Sequence, residues 1–178
     1  MQGKMNKKFF FFFLFINNDS LSSAAVYCNS LIMNHFAKLG NPSIAKNTTF
    51  QLVGSNIIDE SASIDPSAKI GPNVYIGPKV KIGKGVRIKE SIILSNSDIK
   101  DHACVLNAII GWDCIIGNWS RVEGIYNPTP HENSENDKRQ GITIFGKGAR
   151  AKPEIIVYNC IVMPHKDLER SQKNSILL

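Results

Sequence analysis

The chain has 178 residues, 43% of them hydrophobic, a net charge of +6 and four cysteines. A chain of this length buries one core, so one domain with an appendage is expected. Half of the net charge comes from Lys4, Lys7 and Lys8, and no basic patch interleaved with aromatic residues follows, which argues against nucleic-acid binding. The cysteines are widely spaced without a CxxC pair, which favours buried thiols in a reducing, cytoplasmic compartment over a zinc site.

The first residues, "MQGKMNKKFFFFFLFI", combine a basic stretch with an apolar run. The run covers only residues 9–16, far short of the ~20 residues that a membrane span needs, and no small-residue cleavage pattern follows it. Lys, Asn, Phe and Ile all have A/T-rich codons. We therefore interpret residues 1–18 as a leader encoded by an alternative or mis-predicted first exon, without evolved structure, and we expect no membrane partner.

Residues 19–56 are predicted to be a linker that contains one helix. Apolar residues at helical spacing run through residues 20–38, with Ser20 available as the N-terminal cap and Gly40 as the stop. The apolar positions are Val26, Leu31, Ile32, Phe36 and Leu39. Since this helix has no second helix to pack against in the chain, we expect it to find a partner elsewhere.

From residue 58 an isoleucine recurs at every sixth position: Ile58, Ile64, Ile70, Ile76, Ile82 and Ile88. A period of six fits neither a helix nor a simple alternating strand, and Pro or Gly in most blocks excludes a continuous helix. A triangular coil of three short strands, with about eighteen residues per turn, places every isoleucine inside. Hexapeptide coils that this chain resembles wind left-handed. The prediction is an all-β fold, a left-handed parallel β-helix of four to five coils over residues 57–163, preceded by one α-helix.

The repeat continues beyond residue 88 with one corner shortened by a residue in every turn of seventeen. The core positions become Ile93, Ile99, Val105, Ile110, Ile116 and Val122. This register leaves Trp112 and Trp119 at the surface. Residues 125–141, "IYNPTPHENSENDKRQG", are polar and predicted to be a long exposed loop, after which the coil resumes at residue 142. Residues 164–178 are predicted to be a polar C-terminal tail.

The chemistry-bearing residues support two classes of function. Many hexapeptide coils are trimeric acyltransferases whose base is a histidine, and His102 is the one histidine inside the repeat, with Asp101 beside it but no carboxylate at a fixed spacing. An acyl-CoA enzyme with His102 as its base is therefore the alternative hypothesis, which acetyl-CoA binding would test. No Gly-rich phosphate loop or nucleophile elbow occurs in the sequence, so no catalytic residue for nucleotide chemistry is identified.

Two stretches carry a family resemblance. "IIGWDCIIGNWSRVEG" resembles the signature of the β-helix domain of GDP-mannose pyrophosphorylase (mannose-1-phosphate guanylyltransferase), and "NCIVMPHKDL" resembles that family's C-terminal motif. The extra loop at 125–141 and the ending "HKDLERSQKNSILL" are similar to the α, regulatory subunit rather than the β, catalytic one. The match covers residues 20–178 and lacks the nucleotidyltransferase domain. The coil of a translation-initiation exchange factor is a third possibility, against which "RVEG" and "PHK" argue.

The resemblance implies a non-catalytic assembly and regulatory module that takes no cofactor and no metal. Its partners would be a second copy of the chain, a β-type catalytic subunit, or both. Aromatic residues beside an arginine are typical of interface anchors. The predicted partner interface comprises Trp112, Trp119, Arg121, Glu123, His165 and Lys166, although the tryptophans could instead pack under the loop or the tail. The predicted regulatory loop residues are Pro128, Pro130, His131, Glu132, Lys138 and Arg139.

Overall fold

The computed structural model describes residues 50–125 and 141–178. Every regular element in these two ranges is a short β-strand, and the strands wind into a parallel β-helix of about seven turns. The predicted left-handed β-helix class is therefore confirmed. The predicted leader at 1–18 and helix at 20–38 lie outside the described residues.

The strands form three parallel sheets, one on each side of the triangle. Sheet A consists of β1 (Gln51–Leu52), β4 (Lys69–Ile70), β7 (Arg87–Lys89), β10 (Cys104–Leu106), β13 (Arg121–Glu123), β16 (Ile156–Tyr158) and β19 (Gln172–Lys173). Sheet B consists of β2 (Asn56–Ile58), β5 (Val74–Ile76), β8 (Ile92–Ile93), β11 (Ala108–Ile110), β14 (Thr143–Phe145), β17 (Ile161–Val162) and β20 (Ile176–Leu177). Sheet C consists of β3 (Ser63–Ile64), β6 (Lys81–Ile82), β9 (Asp98–Ile99), β12 (Ile115–Ile116), β15 (Arg150–Ala151) and β18 (Asp167–Leu168).

The strand register reproduces the spacing that the sequence predicts. Lys69 pairs with Arg87, eighteen residues later, and Arg87 pairs with Cys104, seventeen residues later. Because every turn stacks one strand on the strand of the previous turn, the inward side chains form continuous ladders. Ile70 is fully buried between Leu52 and Ile88 in one such ladder. The core is therefore a column of isoleucine, valine and alanine side chains along the axis of the coil.

Three columns of corners join the sheets, and we name them by the sheets that they connect: the AB, BC and CA corners. A corner that turns the chain from one sheet to the next within a few residues uses a residue with a left-handed backbone, which glycine adopts at the lowest cost and asparagine at moderate cost. Asn73, Asn107, Asn159 and Asn174 have positive φ at the AB corner. His102 and Trp119 at the CA corner, and His165 at the BC corner, have it as well.

The β-helix extends beyond the predicted range of residues 57–163 at both ends. It begins with β1 at Gln51, and residues assigned to a polar tail form the last three strands, β18 to β20. Leu168 is 3% exposed and completes the core there. The last register step in sheet A is only fifteen residues, from Val157 to Gln172, so the hexapeptide period is lost although the turn is kept. The coil accordingly has about seven turns rather than four to five.

Within these described ranges, no helix has the length and hydropathy that crossing a membrane requires.

Candidate partner-binding surfaces

The six predicted interface residues occupy two separate regions. Trp119 lies at the CA corner, and Arg121 and Glu123 follow it on the outer surface of sheet A. Trp112, His165 and Lys166 lie at the BC corner. Since strand β12 of sheet C separates the two tryptophans, they do not belong to one patch. We therefore treat them as a CA-corner surface (Trp119, Arg121 and Glu123) and a BC-corner surface (Trp112, His165 and Lys166).

The CA-corner surface is organised by ring stacking between successive turns. The Trp119 and His102 rings stack with their centroids 4.2 Å apart and an interplanar angle of 18°. On its other side His102 lies over Gly85, where a β-carbon would come within 2.5 Å of the imidazole Nδ1. Only a glycine leaves room for this ring, and Gly85 also has a left-handed φ of 63°. Trp119 remains 64% exposed and is available for contact.

The charged pair next to Trp119 is fixed by a direct hydrogen bond. Arg121 Nε donates to Glu123 Oε2 at 2.7 Å, and this bond raises the pKa of the arginine. Both side chains retain solvent contact, so the ion pair itself adds little stability. Cys104 lies one strand below Arg121, with Arg87 on its other side. Burial raises the pKa of its thiol and outweighs the lowering effect of the two arginines.

The BC-corner surface is held mainly by hydrogen bonds, in contrast to the ring stacking at the CA corner. Half-buried Trp112 accepts hydrogen bonds at its carbonyl from the Gly148 amide at 2.8 Å and from Cys114 Sγ at 3.6 Å. The imidazole of His165 lies over Gly148 as that of His102 lies over Gly85. Lys166 Nζ donates to the Leu178 carbonyl at 2.5 Å, which ties the C-terminal residue to this corner. The Trp112 carbonyl therefore takes part in the hydrogen bonding that holds successive turns of the β-helix together.

The long insertion leaves and re-enters the β-helix at the AB corner. The Ile125 amide donates to the Gly141 carbonyl at 3.0 Å, and the Gly124 amide donates to the Leu106 carbonyl at 3.0 Å. Thr143 Oγ1 donates to the Glu123 carbonyl at 2.5 Å, which is a further bond between the two strands that flank the insertion. The six predicted regulatory loop residues all fall within 126–140, outside the described residues.

The outer surface of sheet B is apolar along its whole length, a feature that sequence reasoning missed. One outward residue from each strand pairs with the next to form a single ladder, which we call the sheet-B ladder. Its members are Ile57, Tyr75, Ile92, Ile109, Ile144, Ile161 and Ile176. The Ile-Ile doublets at 57–58, 92–93 and 109–110 were the available signal, because one residue of each faces inward and the other outward.

The outer surfaces of the other two sheets carry charge. The sheet A ladder includes Lys69, Arg87 and Arg121, and the sheet C ladder includes Lys81, Asp98, Arg150 and Asp167. An open groove of about 380 Å³ lies over sheet C beside Ile115 and Lys152. Its cations have anionic neighbours, since Lys100 Nζ lies 2.7 Å from Asp98, Lys152 Nζ lies 2.6 Å from Glu169, and Arg150 pairs in register with Asp167. The groove therefore presents balanced charge rather than an anion site.

The surroundings of His102 do not favour the acyltransferase alternative. Both faces of the imidazole are occupied, by Trp119 and by Gly85. The neighbouring Asp101 uses its Oδ1 atom to accept the Lys84 amide at 2.8 Å. In the described ranges, no carboxylate hydrogen-bonds to the imidazole, so His102 lacks the acidic partner that often orients a histidine base. The same ranges hold no cluster of three His, Cys, Asp or Glu side chains that could bind a metal ion.

Comparison with known sequences identifies a family match over most of the β-helix. Residues 52–177 match the sequence model of the family described as the GMPPB C-terminal domain. The chain is 57% identical over 157 residues to the mannose-1-phosphate guanylyltransferase regulatory subunit alpha of Dictyostelium discoideum, and 45% identical over 170 residues to the regulatory subunit alpha-A of Danio rerio. Each alignment covers 88% of this chain but only 37% and 40% of the relative.

Comparison with solved structures shows the fold alone. PerB from Caulobacter crescentus, in complex with CoA and GDP-perosamine, superposes with a TM-score of 0.56 at 18% identity, covering 80% of this chain and 69% of that one. The acetyltransferase domain of PglB from Neisseria gonorrhoeae, in complex with acetyl coenzyme A, gives a TM-score of 0.53 at 15% identity, covering 80% and 60%. At such identities the likeness does not extend to ligand binding.

Proposed function

We propose that this chain, which belongs to the GMPPB C-terminal domain family, is a non-catalytic assembly and regulatory module of a GDP-mannose pyrophosphorylase. The identity of 57% with a regulatory subunit alpha supports the regulatory class. The partners are a second copy of the chain, a β-type catalytic subunit, or both. The role depends on binding alone and takes no cofactor. Its place is the cytoplasm, in keeping with the free thiols of Cys104, Cys114 and Cys160.

The observation that carries the proposal is the way in which the β-helix presents its insertion. Strand pairing continues undisturbed across it, from Glu123 to Tyr158 in sheet A and from Ile109 to Ile144 in sheet B. The hydrogen bond between Ile125 and Gly141 joins the two ends of the insertion. A rigid scaffold that displays a loop without depending on it is a typical arrangement for a binding segment. Residues 126–140 then act on the partner while the coil holds it.

The CA-corner surface is the proposed docking site for the catalytic subunit. Trp119 is exposed, its ring is held by His102, and Arg121 and Glu123 lie next to it with a fixed geometry. A rigid aromatic side chain beside an arginine loses little conformational entropy on binding, which is the property of an interface anchor. The BC-corner residues His165 and Lys166 are proposed as a second contact.

Pyrophosphate release from GTP and mannose 1-phosphate by a purified β-type catalytic subunit tests the role of the insertion. We expect the wild-type chain to release no pyrophosphate alone and to lower the rate of the catalytic subunit when the two proteins are mixed. A variant in which a short Gly-Ser linker replaces residues 126–140 should still bind the subunit but should not inhibit it. Equal inhibition by the variant, or turnover by the chain alone, would contradict the proposal.

The linker variant also has a built-in folding control. Because the Ile125–Gly141 and Gly124–Leu106 hydrogen bonds remain, its unfolding midpoint should match that of the wild type. Loss of inhibition by a variant with an unchanged midpoint therefore reports on the insertion itself.

A further inference from the structure

The two histidines at corners of the coil, His102 and His165, have the same local geometry. A β-carbon at Gly85 would lie 2.5 Å from Nδ1 of His102, and one at Gly148 would lie 2.7 Å from Nδ1 of His165. The backbone agrees as well, since φ is 60° at His102 and 61° at His165. In both places the histidine amide donates to the carbonyl of the residue before the glycine, at 2.7 and 2.8 Å. The corner of His102 is therefore a template for the corner of His165.

Trp119 shows what the next position of such a corner holds. Its ring stacks on that of His102 with the centroids 4.2 Å apart. Its amide donates to the carbonyl of Asp101, the residue before the histidine, at 3.0 Å. The counterparts at the BC corner are the outer face of the His165 ring and the carbonyl of Pro164, the residue before it. A residue with an aromatic ring and a backbone amide fits both groups at once.

Within residues 50–125 and 141–178, neither counterpart has a partner. Sheets A and B have seven strands but sheet C has six, so no described residue follows His165 at the BC corner of a seventh turn. No amide in the same two ranges donates to the Pro164 carbonyl, and the His165 side chain is exposed. Met163 and Leu178, which are 40% and 83% exposed, give this corner an apolar border.

We propose that His165 and the Pro164 carbonyl form a docking site for an aromatic residue in an extended segment of the β-type catalytic subunit. The inference rests on the function proposed above and adds the chemistry of the residue that the BC-corner surface binds. The partner's ring stacks on the imidazole as Trp119 stacks on His102, and its amide donates to Pro164. Because the His165 ring already lies over Gly148, it loses little conformational freedom on binding.

The charges around the site favour an uncharged aromatic side chain over a nucleotide. A nucleobase also stacks on an imidazole, but its phosphate groups need a free cation. Lys166 Nζ donates to the Leu178 carbonyl at 2.5 Å, and Lys147 Nζ lies 3.8 Å from the Asp113 carboxylate. Both lysines next to His165 in the corner therefore already have partners, and the border of the site is apolar.

A short peptide tests the site without any catalytic subunit. In the NMR spectrum of the full chain, the His102 Cε1 proton should lie upfield because Trp119 covers the ring, and Trp119→Ala should move it downfield, which calibrates the measurement. Acetyl-Gly-Trp-Gly-amide should move the His165 Cε1 proton upfield and leave that of His102 in place. Acetyl-Gly-Leu-Gly-amide and guanosine monophosphate, the nucleotide probe, should move neither.

Matched variants test whether the catalytic subunit uses the site. His165→Asn removes the ring without new backbone strain, since Asn96 has a φ of 62° at the same corner, and His165→Trp keeps a ring, as Trp119 does at 60°. Lys79→Ala is the control, because Lys79 is exposed at the BC corner of the second turn with a φ of 57°. Titration calorimetry with the subunit should show binding weakened about threefold to tenfold by His165→Asn. His165→Trp and Lys79→Ala should bind like the wild type.

The docking site is overturned if the tryptophan peptide does not move the His165 signal, or if the leucine peptide or the nucleotide moves it equally. It is also overturned if this signal lies as far upfield as that of His102 in the free chain, which would show that a ring of the same chain covers it. Equal binding of His165→Asn and wild type to the subunit would overturn the choice of partner. A wild type that responds to the peptide but does not bind the subunit would instead contradict the function proposed above.

Discussion

The rings of Trp119 and His102 stack at a centroid distance of 4.2 Å, with one ring on each of two successive turns of the coil. Trp119 is thereby held in one orientation although it is 64% exposed. An exposed aromatic side chain with fixed orientation contributes more to binding than to folding.

The first prediction concerns this stack. Trp119→Ala should lower the free energy of unfolding by no more than about 1 kcal/mol, because only one ring contact is lost. It should weaken binding to a β-type catalytic subunit by about 2 kcal/mol, the size expected of an interface anchor. Urea unfolding and titration calorimetry measure the two effects. Trp119→Phe keeps a ring over His102 and serves as the control. Unchanged affinity of Trp119→Ala would remove the CA corner from the interface.

The second prediction concerns the core register. Ile70 is fully buried between Leu52 and Ile88, so Ile70→Asp places an unpaired carboxylate in an apolar ladder. We expect a loss of at least 3 kcal/mol of stability, which removes the folded state of a small domain or nearly so. Lys69→Asp alters the preceding residue of the same strand, which points outward, and should change stability by less than about 1 kcal/mol. Circular dichroism during thermal unfolding compares the two. Similar melting of both variants would show that the inward and outward assignments are wrong.

The third prediction concerns pH. Burial raises the pKa of the Cys114 thiol from 9.0 to about 11, so the folded state keeps the thiol neutral in a range where the unfolded chain ionises it. The contribution of this group to stability is complete below pH 9 and is lost as the pH rises toward 11. Between pH 8 and pH 10.5 the loss should be about 2 kcal/mol. Chemical unfolding of wild type and Cys114→Ala at both values measures it, and the pH dependence should be smaller by that amount in the variant. Parallel pH dependence of the two proteins would contradict the assignment.

The sequence predicted the inward-facing residues well, because a period of six has one geometric solution. Ile88, Val105 and Val122 lie in one ladder, as the seventeen-residue steps require. Strands β19 and β20 were missed because their register steps fall to fifteen residues, and the only deeply buried apolar side chain after residue 163 is that of Leu168. A periodic pattern cannot reveal a turn that no longer has the period.

The surface was harder to predict than the core for a physical reason. Trp112 and Trp119 are seven residues apart in the sequence, which suggests one patch, but a triangular coil places a full strand between successive corners. Ile109 and Ile115 look equivalent in the sequence, as the first residues of two Ile-Ile doublets, yet they face different sides of the triangle. Which outward residues share a face is decided by pairing between turns, fifteen residues or more apart. Local sequence patterns do not carry that information.

The measurement that tests the central claim most directly is the binding of the full chain to a purified β-type catalytic subunit. Sedimentation velocity of the two proteins, separately and mixed, reports complex formation without relying on activity. A module for assembly and regulation predicts a new, faster-sedimenting species in the mixture, which Trp119→Ala diminishes and the replacement of residues 126–140 leaves in place. Two boundaries that sediment independently at all concentrations would contradict the account.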